Sequence, residues 1–186
     1  VDSSFSKNET LIFKYYKKNI LPAGILVISK DRKQGYLFWI ENESIKLQGI
    51  YKDLSPLITT NSKTQNEFRE YMLSTTSIKD SLSKATWKFD SLRFRHNSDS
   101  NIYQLKVLQF SSLLKQTNID FIKKYPSSII STQTLFFEAH HKRFSNEEVL
   151  SLFKLLSTEQ QNSSLGQGIL KIVLLYQNPL VGQKAP

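Results

Sequence analysis

Apolar positions fall in short runs over the first third of the chain and at wider, helix-like spacing further on. Gly24 to Ser29 encloses one run of strand length, Ile25-Leu26-Val27-Ile28, and Tyr36 to Ile40 forms a second across the polar turn 31–35. A further turn at Glu41-Asn42-Glu43 leads into residues 44–51. Apolar and aromatic runs divided by short polar turns predict an antiparallel meander.

After Pro56 the spacing changes. Thr64 and Glu67 match a capping box, and Phe68, Tyr71, Met72, Thr75, Ile78 and Leu82 follow at helical intervals. The cluster Thr75-Thr76-Ser77 is expected to divide this stretch, with Ser77 capping a second helix. Leu92 and Phe94 alternate with Arg93 and Arg95, which suggests a strand, with a turn at 96–101 and a return strand at 102–110. The same segment supports a helix, because Tyr103, Val107, Phe110, Leu114, Thr117 and Phe121 step by four and three. The preferred reading is a hairpin to Phe110 and a helix from Ser112 to Lys124, ended by Pro126. Residues 132–140 read as another strand. Ser145 and Glu148 form a second capping box, and Val149, Leu152, Phe153 and Leu156 make an apolar stripe, predicting an amphipathic helix over 146–158. Residues 168–176 read as a last strand, and 181–186 as a frayed tail.

These elements predict an α+β fold, mainly an antiparallel sheet or partly closed barrel with two to four helices. One domain spans 1–186, with a helical insertion near 63–85. With the middle helices set aside, the element order over 9–158 resembles a pleckstrin-homology-like domain, a barrel-like sandwich closed by a C-terminal amphipathic helix. The resemblance rests on element order alone and implies fold before function.

Composition supports a folded chain. Hydrophobic residues make up 39% and aromatics 12%, enough for a core, so disorder throughout is excluded. The 24 serines predict a surface rich in loops. With no cysteine there is neither a disulfide nor a thiolate ligand or nucleophile. The longest apolar stretch, 169–175, is interrupted by Lys171 and is too short to cross a bilayer. The first residue is Val1, which reads as a fragment or a processed form. An intracellular location, cytoplasm or nucleus, is expected, with the bacterial periplasm as the other fitting compartment. The net charge of +9 points to an anionic partner, although 20 lysines against 5 arginines describe a solvated face better than a phosphate grip.

Three places carry candidate chemistry. Tyr36 and Phe38, within Gly35-Tyr36-Leu37-Phe38, resemble the aromatic strand of RNA-recognition and cold-shock domains, where rings stack on bases. Lys30, Arg32 and Lys33 would hold the phosphates, making 24–41 a nucleic-acid hairpin. Lys14, Lys17 and Lys18, with Lys30 and Arg32, would meet at one end of a barrel. The pleckstrin-homology resemblance implies a phosphate or anionic lipid headgroup there. Glu138 and His140 share one face of a strand while His141 turns away and His96 lies elsewhere. Two ligands fall short of the three a zinc site needs.

No nucleophile elbow, phosphate loop or His-Glu-x-x-His motif occurs, so neither an enzyme nor a cofactor is expected. The function expected is a non-enzymatic protein–protein interaction or scaffolding module of a larger assembly. Another protein subunit is the expected partner, with Tyr15, Tyr16, Tyr36 and Trp39 as anchors and strand 168–176 at a sheet edge. Nucleic acid, and then an anionic phosphate or membrane surface, are the alternatives.

Overall fold

The computed structural model describes residues 21–28, 33–40, 46–50, 53–60 and 62–177; it describes the side chain of Trp39 alone among the strands, and none at 176–177. Two compact units divide the chain, Val1–Gln65 and Asn66–Pro186.

In the first unit, β1 (Leu21–Ile28) pairs antiparallel with β2 (Lys33–Ile40), Leu21 opposite Ile40 and Ile28 opposite Lys33. A separate hairpin joins β3 (Lys46–Ile50) to β4 (Asp53–Thr60), with an irregularity between Gln48 and Ile50. No larger sheet connects these two ladders among the described residues.

From Ser62 onward the described elements are all helices. The elements are α1 (Lys63–Phe94), α2 (Ser100–Lys124), α3 (Ile129–His140), α4 (Asn146–Leu155), α5 (Thr158–Asn162) and α6 (Ser164–Gln177). The body of the protein is therefore all-α. The α+β fold with an antiparallel sheet or partly closed barrel, and the pleckstrin-homology-like order with it, is overturned.

Each misplaced strand has a physical reason. The four-and-three spacing from Tyr103 to Phe121 prevails over local alternation, and one helix spans the expected return strand. In α3, Ile130, Thr134 and Glu138 form one buried column and Ser131, Leu135 and Ala139 a second. That periodicity belongs to a helix, and packing overrides the strand preference of its Thr and Phe residues. In α6, Ile169 and Val173 are buried one turn apart. Residues 168–176 therefore offer no strand edge to a partner.

Serine opens most of the helices. Gln65 N donates to Ser62 Oγ at 3.0 Å, so α1 is capped two residues before the expected Thr64. The Gln65 side chain, free of the reciprocal bond, accepts from Trp39 N. Ser128 caps α3, Ser157 caps α5, and Ser163 Oγ accepts from Gly166 N. At α4 both halves of the box are made: Glu148 N donates to Ser145 Oγ at 3.2 Å, and Ser145 N to Glu148 Oε2 at 2.8 Å. The helix ends at Leu155, a turn short of 158.

The Thr75–Ser77 cluster does not break α1. Thr75 Oγ1 donates to the Tyr71 carbonyl and Thr76 Oγ1 to that of Met72, so the hydroxyls are satisfied inside the helix. Among the described residues, Ser62, Ser128, Ser145, Ser157 and Ser163 thus cap helices, and Thr75 and Thr76 line a helix wall.

The core gathers Ile122 of α2, Leu135 and Ala139 of α3, and Phe144, just after it. Val149, Leu152 and Phe153 of α4, then Leu156, then Ile169 and Val173 of α6, complete it. Helices α3 to α6 thus enclose only the C-terminal half of α2.

Candidate interaction surface

Helices α1 and α2 form an antiparallel hairpin whose seam is written in heptads. On α1, Phe68, Tyr71, Thr75, Ile78, Leu82, Ala85, Phe89 and Leu92 alternate steps of three and four, and on α2 Tyr103, Val107, Phe110, Leu114, Thr117 and Phe121 do the same. All of these are buried or half-buried. A 3.5-residue repeat sets these apolar positions along one face of each helix, and the contacts between α1 and α2 gather at the base, around Tyr71, Asn118 and Phe121.

The base of the hairpin is locked by polar contacts. The Tyr71 hydroxyl donates to Asn118 Oδ1 at 3.2 Å, Asn118 Nδ2 donates to Glu138 Oε1 at 3.2 Å, and Arg143 pairs with the same oxygen. This chain of bonds runs from α1 through α2 to α3 and neutralises the buried Glu138. Tyr71 also meets Phe121 edge to face, with ring centroids 5.1 Å apart. Beside it, Glu70 accepts from Lys124 at 2.6 Å and from the Tyr125 hydroxyl. The Lys124 bond, then that of Tyr125, holds the Glu70 carboxyl below its ordinary range, and the same carboxylate raises the Lys124 ammonium.

Beyond this base the arm stands clear of α3 to α6. The last tie on α2 is Lys115, which reaches Glu148 at the start of α4 at 2.7 Å. From there to Ser100 the helix continues for about 22 Å. One face of α2 runs through Ile122, Ile119, Lys115, Ser112, Leu108, Leu105 and Asn101 at heptad intervals. Its first part packs on the bundle, where Ile122 is wholly buried, while Leu108 and Leu105 remain 60% and 68% exposed. Ile102 is exposed beside them. On α1, Leu73, Trp87 and Phe94 lie on the side away from the seam, Trp87 at 71% and Phe94 at 88% exposure. Apolar side chains grouped on one projecting arm mark a contact surface, since singly scattered ones would need no explanation.

No family model, no curated protein and no solved structure matches the chain. The surface is therefore read from its own residues.

Of the sites expected from sequence, Lys14, Lys17, Lys18, Lys30 and Arg32 lie outside the described residues, as do Tyr15, Tyr16 and the tail 181–186. Lys33, Tyr36 and Phe38 belong to β2. Trp39 is 5% exposed and is no solvent-facing anchor. Glu138, expected on a strand face beside His140, faces Asn118 and Arg143 from the last turn of α3. His140 is exposed and stacks on Phe136, with His141 edge-on to it. Among the described residues no three His, Asp or Glu side chains gather as a metal ion would require. Among the described residues, too, no helix is long and apolar enough to cross a membrane.

Sequence reasoning missed Trp87, Phe94, Ile102, Leu105 and Leu108. The signal was present: once the heptad seam is assigned, these are among the large apolar residues of α1 and α2 that the seam does not use, with Met72, Leu73 and Leu113.

Proposed function

We propose that this chain is a protein-interaction module that docks through the α1–α2 arm, whose two outer sides, Trp87 and Phe94 on α1 and Leu105 and Leu108 on α2, face away from each other. The exposure of Trp87, Phe94, Leu105 and Leu108 on an arm already satisfied along its own seam carries the reading. Burying such side chains against a partner stabilises a complex by about 1.5–3 kcal/mol each, before the costs of association. Trp and Phe at the centre of a desolvated contact are the residue types that most often dominate binding. The basal contacts of Tyr71, Asn118 and Glu70 hold α1 and α2 together before any partner arrives, which lowers the ordering cost of binding. Such an arm suits scaffolding, where one rigid element presents itself to a neighbour.

The test is photo-crosslinking in cells that make the whole protein, with p-benzoylphenylalanine placed at position 87 or 105, and at Glu159 of α5 as control. Discrete protein adducts from 87 and 105, absent from 159, are expected. No discrete adduct from the arm, or the same adducts from the control, would overturn the reading.

A further inference from the structure

We infer that the α2 side of this surface takes a second copy of the same chain, paired antiparallel about a two-fold axis between Leu105 and Leu108. The inference rests on the docking reading above and names one occupant of that surface.

A two-fold contact requires a patch complementary to itself. The sequence of α2 supplies one, because Tyr103-Gln104-Leu105-Lys106 is followed by Val107-Leu108-Gln109-Phe110. Read backwards from its centre, Leu105 mirrors Leu108, Gln104 mirrors Gln109 and Tyr103 mirrors Phe110, while Lys106 with Val107 and Ile102 with Ser111 do not match. Further out, Asn101 mirrors Ser112.

The helical period places these pairs usefully. At about 100° per residue, Leu105 and Leu108 straddle the midline of the open face, Asn101 and Ser112 lie close to that line, and Gln104 and Gln109 flank it on opposite sides. All six are exposed. Tyr103 and Phe110, the outer mirror pair, are turned into the seam with α1. In an antiparallel pair, Leu105 of one copy is level with Leu108 of the other, and Asn101 with Ser112. The contact then has an apolar centre and uncharged polar ends.

Charge bears on the choice of occupant. The chain carries +9, so two copies repel at long range. None of the six face residues is charged, and the contact itself brings no like charges together. An acidic partner would find no cation among these six to pair with. A stripe of this length falls well short of the roughly 1,600 Å2 of a standard interface, so the pairing depends on concentration.

The absence of cysteine makes the register directly measurable. Asn101→Cys and Ser112→Cys chains, purified separately, are mixed and oxidised, and sedimentation velocity of the parent is run over a concentration series at low and high salt. The mixture should give a covalent dimer of the two different chains. Asn101→Cys alone should give none, since its two copies would lie about 16 Å apart along the helix. The parent should shift toward dimer with concentration, and more so in high salt, which screens the repulsion of two basic chains. Leu105→Glu should abolish the shift while leaving the helical spectrum unchanged. A parent that stays monomeric at every concentration, or efficient crosslinking of Asn101→Cys alone, would overturn the pairing. If the arm still crosslinks to a different protein while the parent is monomeric, self-pairing falls and the docking reading stands.

Discussion

Among the described residues, two that are not glycine sit where the backbone favours it, and both end helices. His96 has φ of 53° and Lys142 of 55°. At His96, Asn97 N donates to the Leu92 carbonyl and His96 N to that of Arg93. At Lys142, Arg143 N donates to Glu138 and Lys142 N to Ala139. Both are Schellman endings with a side chain at the left-handed position. His96→Gly should therefore stabilise the protein by about 1 kcal/mol, read as a raised midpoint in denaturant unfolding. Gly166 behaves oppositely. A Cβ there would meet the carbonyl oxygens of Gln160 and Gln161 at 2.3 and 2.4 Å, so Gly166→Ala should cost about 1–3 kcal/mol in the same assay. Gly168→Ala meets only the Phe136 ring, which can turn aside. The absence of glycine at 96 and 142 also explains what the sequence concealed. Without the usual stop signal, α1 and α3 gave no sign of where they end, and the alternation at 92–95 passed for a strand.

At the scale of elements, legibility followed the chemistry of the helix start. The α4 box was readable because its two reciprocal bonds, between Ser145 and Glu148, join residues three apart in the chain. The start of α1 was misplaced because Ser62, with Gln65 at the third position, competes with Thr64 and Glu67 for the same pattern. Segments 102–110, 132–140 and 168–176 were read as strands because their aromatic and β-branched residues suit either element, and the outcome was set by distant packing. The α4 box also carries a pH dependence. Lys115 first, then the Ser145 amide, hold the Glu148 carboxyl below its ordinary value of 4.5. A depressed carboxylate contributes stability that is fully present above 4.5 and lost as pH falls through the lowered value. Glu148→Gln should therefore be less stable than the parent at neutral pH, with the difference closing as pH falls below 4.5 in unfolding curves taken across that range.

At the scale of the whole molecule, one apolar ridge on α2 is used in two ways. Its Ile119 and Ile122 end belongs to the core, and its Leu105 and Leu108 end belongs to the surface. Composition could not separate these uses, because the isoleucines and leucines are alike in hydropathy and differ only in how far α3 and α4 reach along the helix. The basic residues named as candidate sites, Lys14, Lys17, Lys18, Lys30, Arg32 and Lys33, lie in the first unit, outside the residues whose side chains are described. The candidate site moved instead to uncharged positions in the second. The account turns on Leu105 and Leu108 serving contact and not folding, and thermal unfolding of Leu105→Ser/Leu108→Ser at low protein concentration tests this most directly. The melting temperature should match that of the parent. A fall comparable to that of Leu135→Ala, a wholly buried position where truncation costs about 2–5 kcal/mol, would place both leucines inside the fold and contradict the account.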